Sequence, residues 1–183
     1  MKGGDKVDRP DVYRIGSLKS IIVGLIFSII FGYFVFGPLG QKVNNMINEP
    51  IVDGKFFINE EYIKSYFSKI SESSETYFIY LHVVDSFFAL SYALFLWALC
   101  VRLFFENLEF KSYLLVLPPL LAGLFDLVEN ILLIILTFMR DKISSELVLV
   151  TTYVIPAKFI FLLVSLVMIL IGIVLNMIQR FKN

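Results

Sequence analysis

Four long apolar stretches constrain the fold of this 183-residue chain more than any other feature. A helix needs about 20 mostly apolar residues to cross the hydrocarbon core of a bilayer. The sequence predicts four such helices, at about residues 18–36, 78–105, 113–139 and 147–178. The chain is 58% hydrophobic with a mean hydropathy of +0.81, whereas a soluble domain is roughly 45–50% apolar. We therefore expect an all-α, multi-pass integral membrane protein, a four-helix transmembrane bundle in contact with the lipid bilayer.

The predicted spans form a single membrane domain over residues 18–178, preceded by a segment of residues 1–17 and followed by a tail of residues 179–183. Lysine and arginine are enriched on the cytoplasmic side of membrane proteins. The side that holds both termini has nine of them: Lys2, Lys6, Arg9, Arg14, Lys19, Arg102, Lys111, Arg180 and Lys182. The other side has six: Lys42, Lys55, Lys64, Lys69, Arg140 and Lys142. This bias predicts that both termini are cytoplasmic.

The outer loop at residues 41–77 is the one sizeable connection between the predicted spans. Its second half, residues 59–70, has the pattern of an amphipathic helix, with Asn59 as the N-cap and two glutamates in the first turn. Five apolar or aromatic side chains fall on one face of this helix: Tyr62, Ile63, Tyr66, Phe67 and Ile70. We expect this short extracytoplasmic helix to lie on the outer membrane surface or to cover the mouth of the bundle.

Four charged residues interrupt the apolar stretches: Asp85, Asp126, Glu129 and Lys158. A charged side chain near the bilayer centre costs about 2.5–3.5 kcal/mol on insertion scales. Such residues face the interior of a bundle and mark functional sites, because contact with lipid would leave their charges unsolvated. These four residues therefore indicate where a site lies.

Helical spacing places these charges on one polar face of each helix. His82, Asp85 and Tyr92 share a face of the second helix, and Asp126, Glu129 and Asn130 share a face of the third. At about 1.5 Å per residue, Asp85, Glu129, Asn130 and Lys158 lie roughly 10–17 Å below the outer edge, with Asp126 nearer the middle and His82 at the mouth. The sequence predicts one acidic pocket in the outer half of the bundle, with candidate ligand-binding or proton-transfer residues His82, Asp85, Tyr92, Asp126, Glu129, Asn130 and Lys158.

The predicted pocket holds three carboxyl groups and one lysine. Inside a bundle this imbalance requires a proton on one carboxyl or a bound cation or cationic ligand. The first hypothesis is a pocket that binds a small or lipidic ligand. The alternatives are a proton- or cation-coupled transporter that works as a homo-oligomer, a lipid-modifying enzyme of the isomerase type, and a structural ion network without a ligand.

Several classes of site find no support in the sequence. One histidine, one cysteine and the absence of a Gly-rich phosphate loop disfavour zinc, haem and nucleotide cofactors. Lys158 inside the pocket argues against a metal held by His82, Asp85, Asp126 and Glu129. The zero formal net charge indicates no nucleic-acid partner. We therefore expect neither a cofactor nor a metal.

A few positions resemble the membrane sterol-isomerase and sigma-2-receptor group. These are His82 and Asp85 on the second helix, Glu129 on the third, and Asn130 beside it. The resemblance implies a bundle of four or five helices with acidic residues in an apolar cavity, and in some members a shift of a sterol double bond by proton transfer. The chain departs from the pattern on the last helix, where Lys158 replaces the group's polar and aromatic signature.

Overall fold

The computed structural model describes residues 15–56, 58–107 and 113–182. All regular elements in these ranges are helical, which confirms the all-α prediction. The helices are α1 (Leu18–Phe34), α2 (Gly40–Ile47), α3 (Glu60–Phe67), α4 (Glu72–Val101), α5 (Leu117–Phe138) and α6 (Ser145–Lys182). Four helical stretches are long and apolar enough to cross a membrane: Leu18–Ile47, Glu72–Phe105, Leu117–Phe138 and Ser145–Phe181. Most of the basic residues before the first span, and Lys111, lie outside the described residues.

The first span does not end at residue 36 as predicted. Gly37 adopts non-helical dihedral angles (φ −96°, ψ −112°) inside a π-helical segment, Val35–Leu39, that also contains Pro38. The chain then continues as α2, so the predicted loop at residues 41–77 begins with two further helical turns. Val43 and Ile47 on α2 are buried, and this burial explains why the chain resumes a helix after the kink.

The bundle is built by neighbouring pairs of helices. Helix α1 packs mainly against α4, α4 packs against α5, and α5 packs against α6. Gly123 lets α5 approach α4 closely, because a Cβ atom at this position would overlap the Cβ of Ala93. Helices α1 and α6 therefore lie on either side of a cleft, and α4 and α5 form its inner wall.

Helix α3 covers the end of the bundle that bears residues 48–71, which we call the loop end. The Asn59 side chain accepts a hydrogen bond from the Tyr62 backbone N–H at 2.8 Å, so Asn59 is the predicted N-cap. Ile63, Tyr66 and Phe67 are fully buried against the ends of the long helices. The amphipathic helix thus covers the mouth of the bundle.

An ion pair connects the residues that follow α2 to the residues that follow α3. The Lys69 ammonium donates a hydrogen bond to the Glu49 carboxylate, which lowers the pKa of Glu49. Between these two residues the short 3₁₀ turn Val52–Gly54 bends inward, and the Val52 side chain is fully buried. The ring of Phe56 lies 5.8 Å from that of Phe159 on α6. The loop therefore fills the cleft between α1 and α6 at the loop end.

Candidate functional site

The four interior charges predicted from the sequence are buried and lie in one region of the bundle. Asp85 lies on α4, Asp126 and Glu129 on α5, and Lys158 on α6. Each has less than a tenth of its surface exposed, and Glu129 has none. The polar faces of the three helices therefore converge as the spacing predicts, because packing α5 between α4 and α6 turns them toward one another.

Lys158 lies between two carboxylates. Its ammonium nitrogen donates a hydrogen bond to Asp126 Oδ1 at 3.2 Å and lies 2.7 Å from Glu129 Oε2. The phenol of Tyr92 donates a hydrogen bond to the other Asp126 oxygen at 2.9 Å. The lysine therefore contacts two of the three carboxyl groups predicted for the pocket. Asp126 thus joins α4, α5 and α6 through a single side chain.

Asn130 joins the remaining polar groups. Its amide nitrogen donates a hydrogen bond to Asp85 Oδ2 at 2.8 Å, and its amide oxygen lies 2.8 Å from Nδ1 of His82. His82 is fully buried against the ring of Phe78, so the expected position at the mouth of the bundle is wrong. Helix α4 begins at Glu72, six residues before the predicted start, and α3 covers its first turns. The extra turns place His82 well inside the bundle.

One acidic residue at this site was not predicted from the sequence. Asp53, in the inward turn of the loop, lies close to His82 and Asp85: one ligand atom of each residue is within 4.8 Å of the other two. An aspartate in a polar loop is not unusual. The only local signal is the apolar pair before it, Ile51-Val52, which indicates that this part of the loop is buried.

A cavity of about 430 Å³ opens beside these groups. Five polar or charged side chains of the long helices line it: Ser28, Asp85, Tyr92, Asp126 and Lys158. Its other walls are mostly apolar, with Leu25 and Phe36 on the α1 side, three residues of α4 (Phe88, Phe95 and Leu96), and Phe159 and Leu162 on α6. Asp53 and Gly54 line it from the loop. The cavity thus meets the charged groups at one wall and apolar side chains at the others.

The cavity reaches the outer surface of the bundle between α1 and α6. Leu25 and Phe36 line it and are themselves 40% and 70% exposed. Both lie on the first of the four stretches that are long and apolar enough to cross a membrane. The outer edge of the cavity is therefore formed by exposed apolar side chains of this stretch.

Two polar residues of α6 that lie seven positions before and after Lys158, on the same face, do not reach the site. The hydroxyl of Thr151 donates to the Leu147 carbonyl, and that of Ser165 donates to the Phe161 carbonyl. Both side chains are buried against their own helix, a common way to satisfy a hydroxyl group in an apolar environment. Lys158 is therefore the α6 residue that reaches the carboxylates.

No protein-family model matches this sequence, and neither the curated proteins nor the solved structures that were searched gave a match.

Proposed function

We propose that this multi-pass membrane protein binds a lipidic ligand in the cavity between α1 and α6, with the polar end of the ligand at the Asp126–Lys158 pair. One observation carries the proposal. A single cavity has charged groups at its inner wall and, at its outer edge, exposed apolar residues of a stretch long and apolar enough to cross a membrane. Its volume falls in the range of small-molecule sites, roughly 300–1,000 Å³.

The charges at the inner wall favour an uncharged polar end on the ligand. Lys158 and Tyr92 are donors, whereas Asp126 and Asp85 are acceptors when ionised. A hydroxyl group accepts from the ammonium group and donates to a carboxylate at the same time. A carboxylate end would instead face three acidic side chains, and desolvating it there is costly. We therefore expect a long-chain or polycyclic alcohol to bind better than the matching acid.

Photolabelling tests this proposal directly. The full chain is reconstituted in phosphatidylcholine vesicles with a long-chain alkyl alcohol that carries a mid-chain diazirine. We expect saturable labelling of cavity residues such as Leu25 and Phe95, competition by the unlabelled alcohol, and several-fold weaker labelling by the matching alkyl carboxylate. Adducts are located by peptide mass spectrometry. Labelling spread evenly over the lipid-facing surface would overturn the proposal.

A pair of neighbouring positions on α6 provides the control. Leu162 lines the cavity, whereas Leu163 is 63% exposed on the outer surface. We expect Leu162→Trp to fill the cavity and reduce labelling several-fold, and Leu163→Trp to leave it unchanged. Equal labelling of the two variants would contradict binding in the cavity.

The other three hypotheses from the sequence differ in their readouts. A coupled transporter requires gradient-driven flux in proteoliposomes that Glu129→Gln abolishes. A lipid-modifying enzyme requires turnover that Asp126→Asn stops. A purely structural role is supported by the direct contact of Lys158 with both carboxylates, and it predicts no saturable labelling of the cavity.

A further inference from the structure

Three potential metal ligands meet where the loop turns into the cleft. Asp53 comes from the inward turn, and His82 and Asp85 come from one face of α4. A ligand atom of each lies within 4.8 Å of the other two. The buried Val52 side chain anchors the turn that carries Asp53, so this arrangement is set by packing and not by a freely exposed loop.

The hydrogen bonds of Asn130 determine which nitrogen of His82 holds the free lone pair. The Asn130 amide nitrogen donates to Asp85, so its amide oxygen is the atom that faces His82 and accepts a hydrogen bond from Nδ1–H. The proton of a neutral imidazole is then on Nδ1, and the lone pair is on Nε2. Nε2 is buried, and among the described residues no hydrogen-bond partner reaches it. The fully buried ring thus offers an unused ligand atom.

The charges around this cluster are also unbalanced. Lys158 is engaged by Asp126 and Glu129. Within the described ranges, no lysine or arginine forms an ion pair with Asp53 or Asp85. The neutral amide of Asn130 donates a hydrogen bond to Asp85. Two carboxylates and the His82 ring therefore lie together, and none of the described lysines and arginines is paired with them.

We propose that Asp53, His82 and Asp85 bind a divalent transition-metal ion such as Zn²⁺ or Mn²⁺. An imidazole together with carboxylates suits these ions better than Mg²⁺ or Ca²⁺, which prefer all-oxygen sites. Asn130 is a positioning residue, because it fixes the His82 tautomer and orients Asp85, as outer partners of metal ligands do. Three protein ligands leave coordination positions open, and Asp53 and Asp85 both line the cavity.

This site departs from the expectation of no metal, which rested on the single histidine and cysteine and, for these residues, on Lys158 as a competing cation. The structure removes that objection, since the lysine is held by Asp126 and Glu129 and the third ligand, Asp53, comes from the loop. The metal site does not depend on the lipid proposal, because the metal alone tests it.

Metal titration of the full chain in detergent, after tag removal and dialysis against a chelator, provides the test. We expect one Mn²⁺ per chain by the loss of the free-ion electron paramagnetic resonance signal, competition by Zn²⁺, and a ¹⁴N coupling of the bound Mn²⁺. We expect Asp53→Asn to weaken binding by about tenfold or more, and His82→Gln to remove the nitrogen coupling. Asp141→Asn, at an exposed acid away from the cluster, is the control and should bind like the wild type.

Each result of the titration either supports or contradicts the metal site. Absence of saturable binding to the wild-type chain would overturn the proposal, as would equal affinity of the wild type and Asp53→Asn. Asp53 lies on a loop, is not fully buried and is replaced by an isosteric residue, so this variant tests the site even where His82→Gln fails to fold. A similar loss of affinity in Asp141→Asn would show that binding is nonspecific attraction to acidic side chains.

Discussion

Lys158 is the residue on which the electrostatics of the bundle depend. It is the cation that contacts Asp126 and Glu129, and all three side chains are buried. Removing one partner of a buried ion pair leaves an uncompensated charge and costs about 3–5 kcal/mol in proteins. We therefore expect Lys158→Met to lower the free energy of unfolding by about 3 kcal/mol, measured by denaturant titration in detergent.

A double variant distinguishes charge imbalance from a loss of packing. Adding Glu129→Gln to Lys158→Met removes one of the two uncompensated carboxylates, so the pair should cost clearly less than the sum of the single variants. Lys142→Met is the control, because Lys142 is exposed and its replacement should change stability by less than about 0.5 kcal/mol. Strictly additive costs would show that the contact of Lys158 with Glu129 contributes nothing.

The residues of the site differ in how far the sequence reveals them. The four interior charges could be identified from the sequence, because a charged side chain in an apolar helix must face the interior in any arrangement of the helices. They are Asp85, Asp126, Glu129 and Lys158. Asp53 could not be identified in this way, because a loop aspartate has no such constraint and its position depends on how the loop packs. His82 was identified, but its depth was misjudged with the start of α4.

Among the elements, the contact between α4 and α5 fixes the geometry of the site, since His82, Asp85 and Tyr92 lie on one helix and Asp126, Glu129 and Asn130 on the other. Gly123 sits at the closest approach: an added Cβ would overlap the Cβ of Ala93 and lie 3.3 Å from the Ala89 carbonyl oxygen. Alanine in a helix interior is ordinarily more favourable than glycine by roughly 0.5–1 kcal/mol. We expect Gly123→Ala to be destabilising instead, by about 1–3 kcal/mol, because α5 must move away from α4.

Gly54→Ala is the matched control for this prediction. No atom lies within 4 Å of a Cβ built at Gly54, and its φ is not positive, so the methyl group enters open space without backbone strain. The two variants are compared by thermal unfolding in the same detergent. A Gly123→Ala protein as stable as Gly54→Ala would show that the helices are not in tight contact at this position.

The first and last residues of a helix could be predicted only where neighbouring residues in the sequence determine them. Asn59 starts α3 as expected, because an N-cap depends on a few neighbouring atoms. Gly37 and Pro38 are helix-breaking residues, yet here they kink the first span without ending it. Burial of Val43 and Ile47 beneath α3 stabilises the next helix, and that tertiary contact is not visible in the local sequence.

At the scale of the whole molecule, the order of helix packing creates the cavity. Each of the four long helices packs on the next long helix along the chain, so α1 and α6 flank a cleft, which the loop fills only at one end. The sequence predicts four spans and a similar depth for their polar side chains. Both predictions are compatible with several arrangements of the helices. Which pair of helices is left apart follows from side-chain packing, such as the contact at Gly123, and could not be read from the spacing of the charges.

The orientation of the protein in the membrane determines which compartment the loop end faces. The lysine and arginine bias predicts that both termini are cytoplasmic, so the loop end and the α5–α6 turn should face outward. The native Cys100 is fully buried and is replaced by alanine to give a cysteine-free background. Exposed positions at the two ends then receive single cysteines, Lys142→Cys in the turn and Gln179→Cys near the end of α6. In intact cells a membrane-impermeant maleimide should label Lys142→Cys and not Gln179→Cys, and permeabilisation should make both reactive. The reverse pattern would show that the loop end, and with it Asp53, faces the cytoplasm.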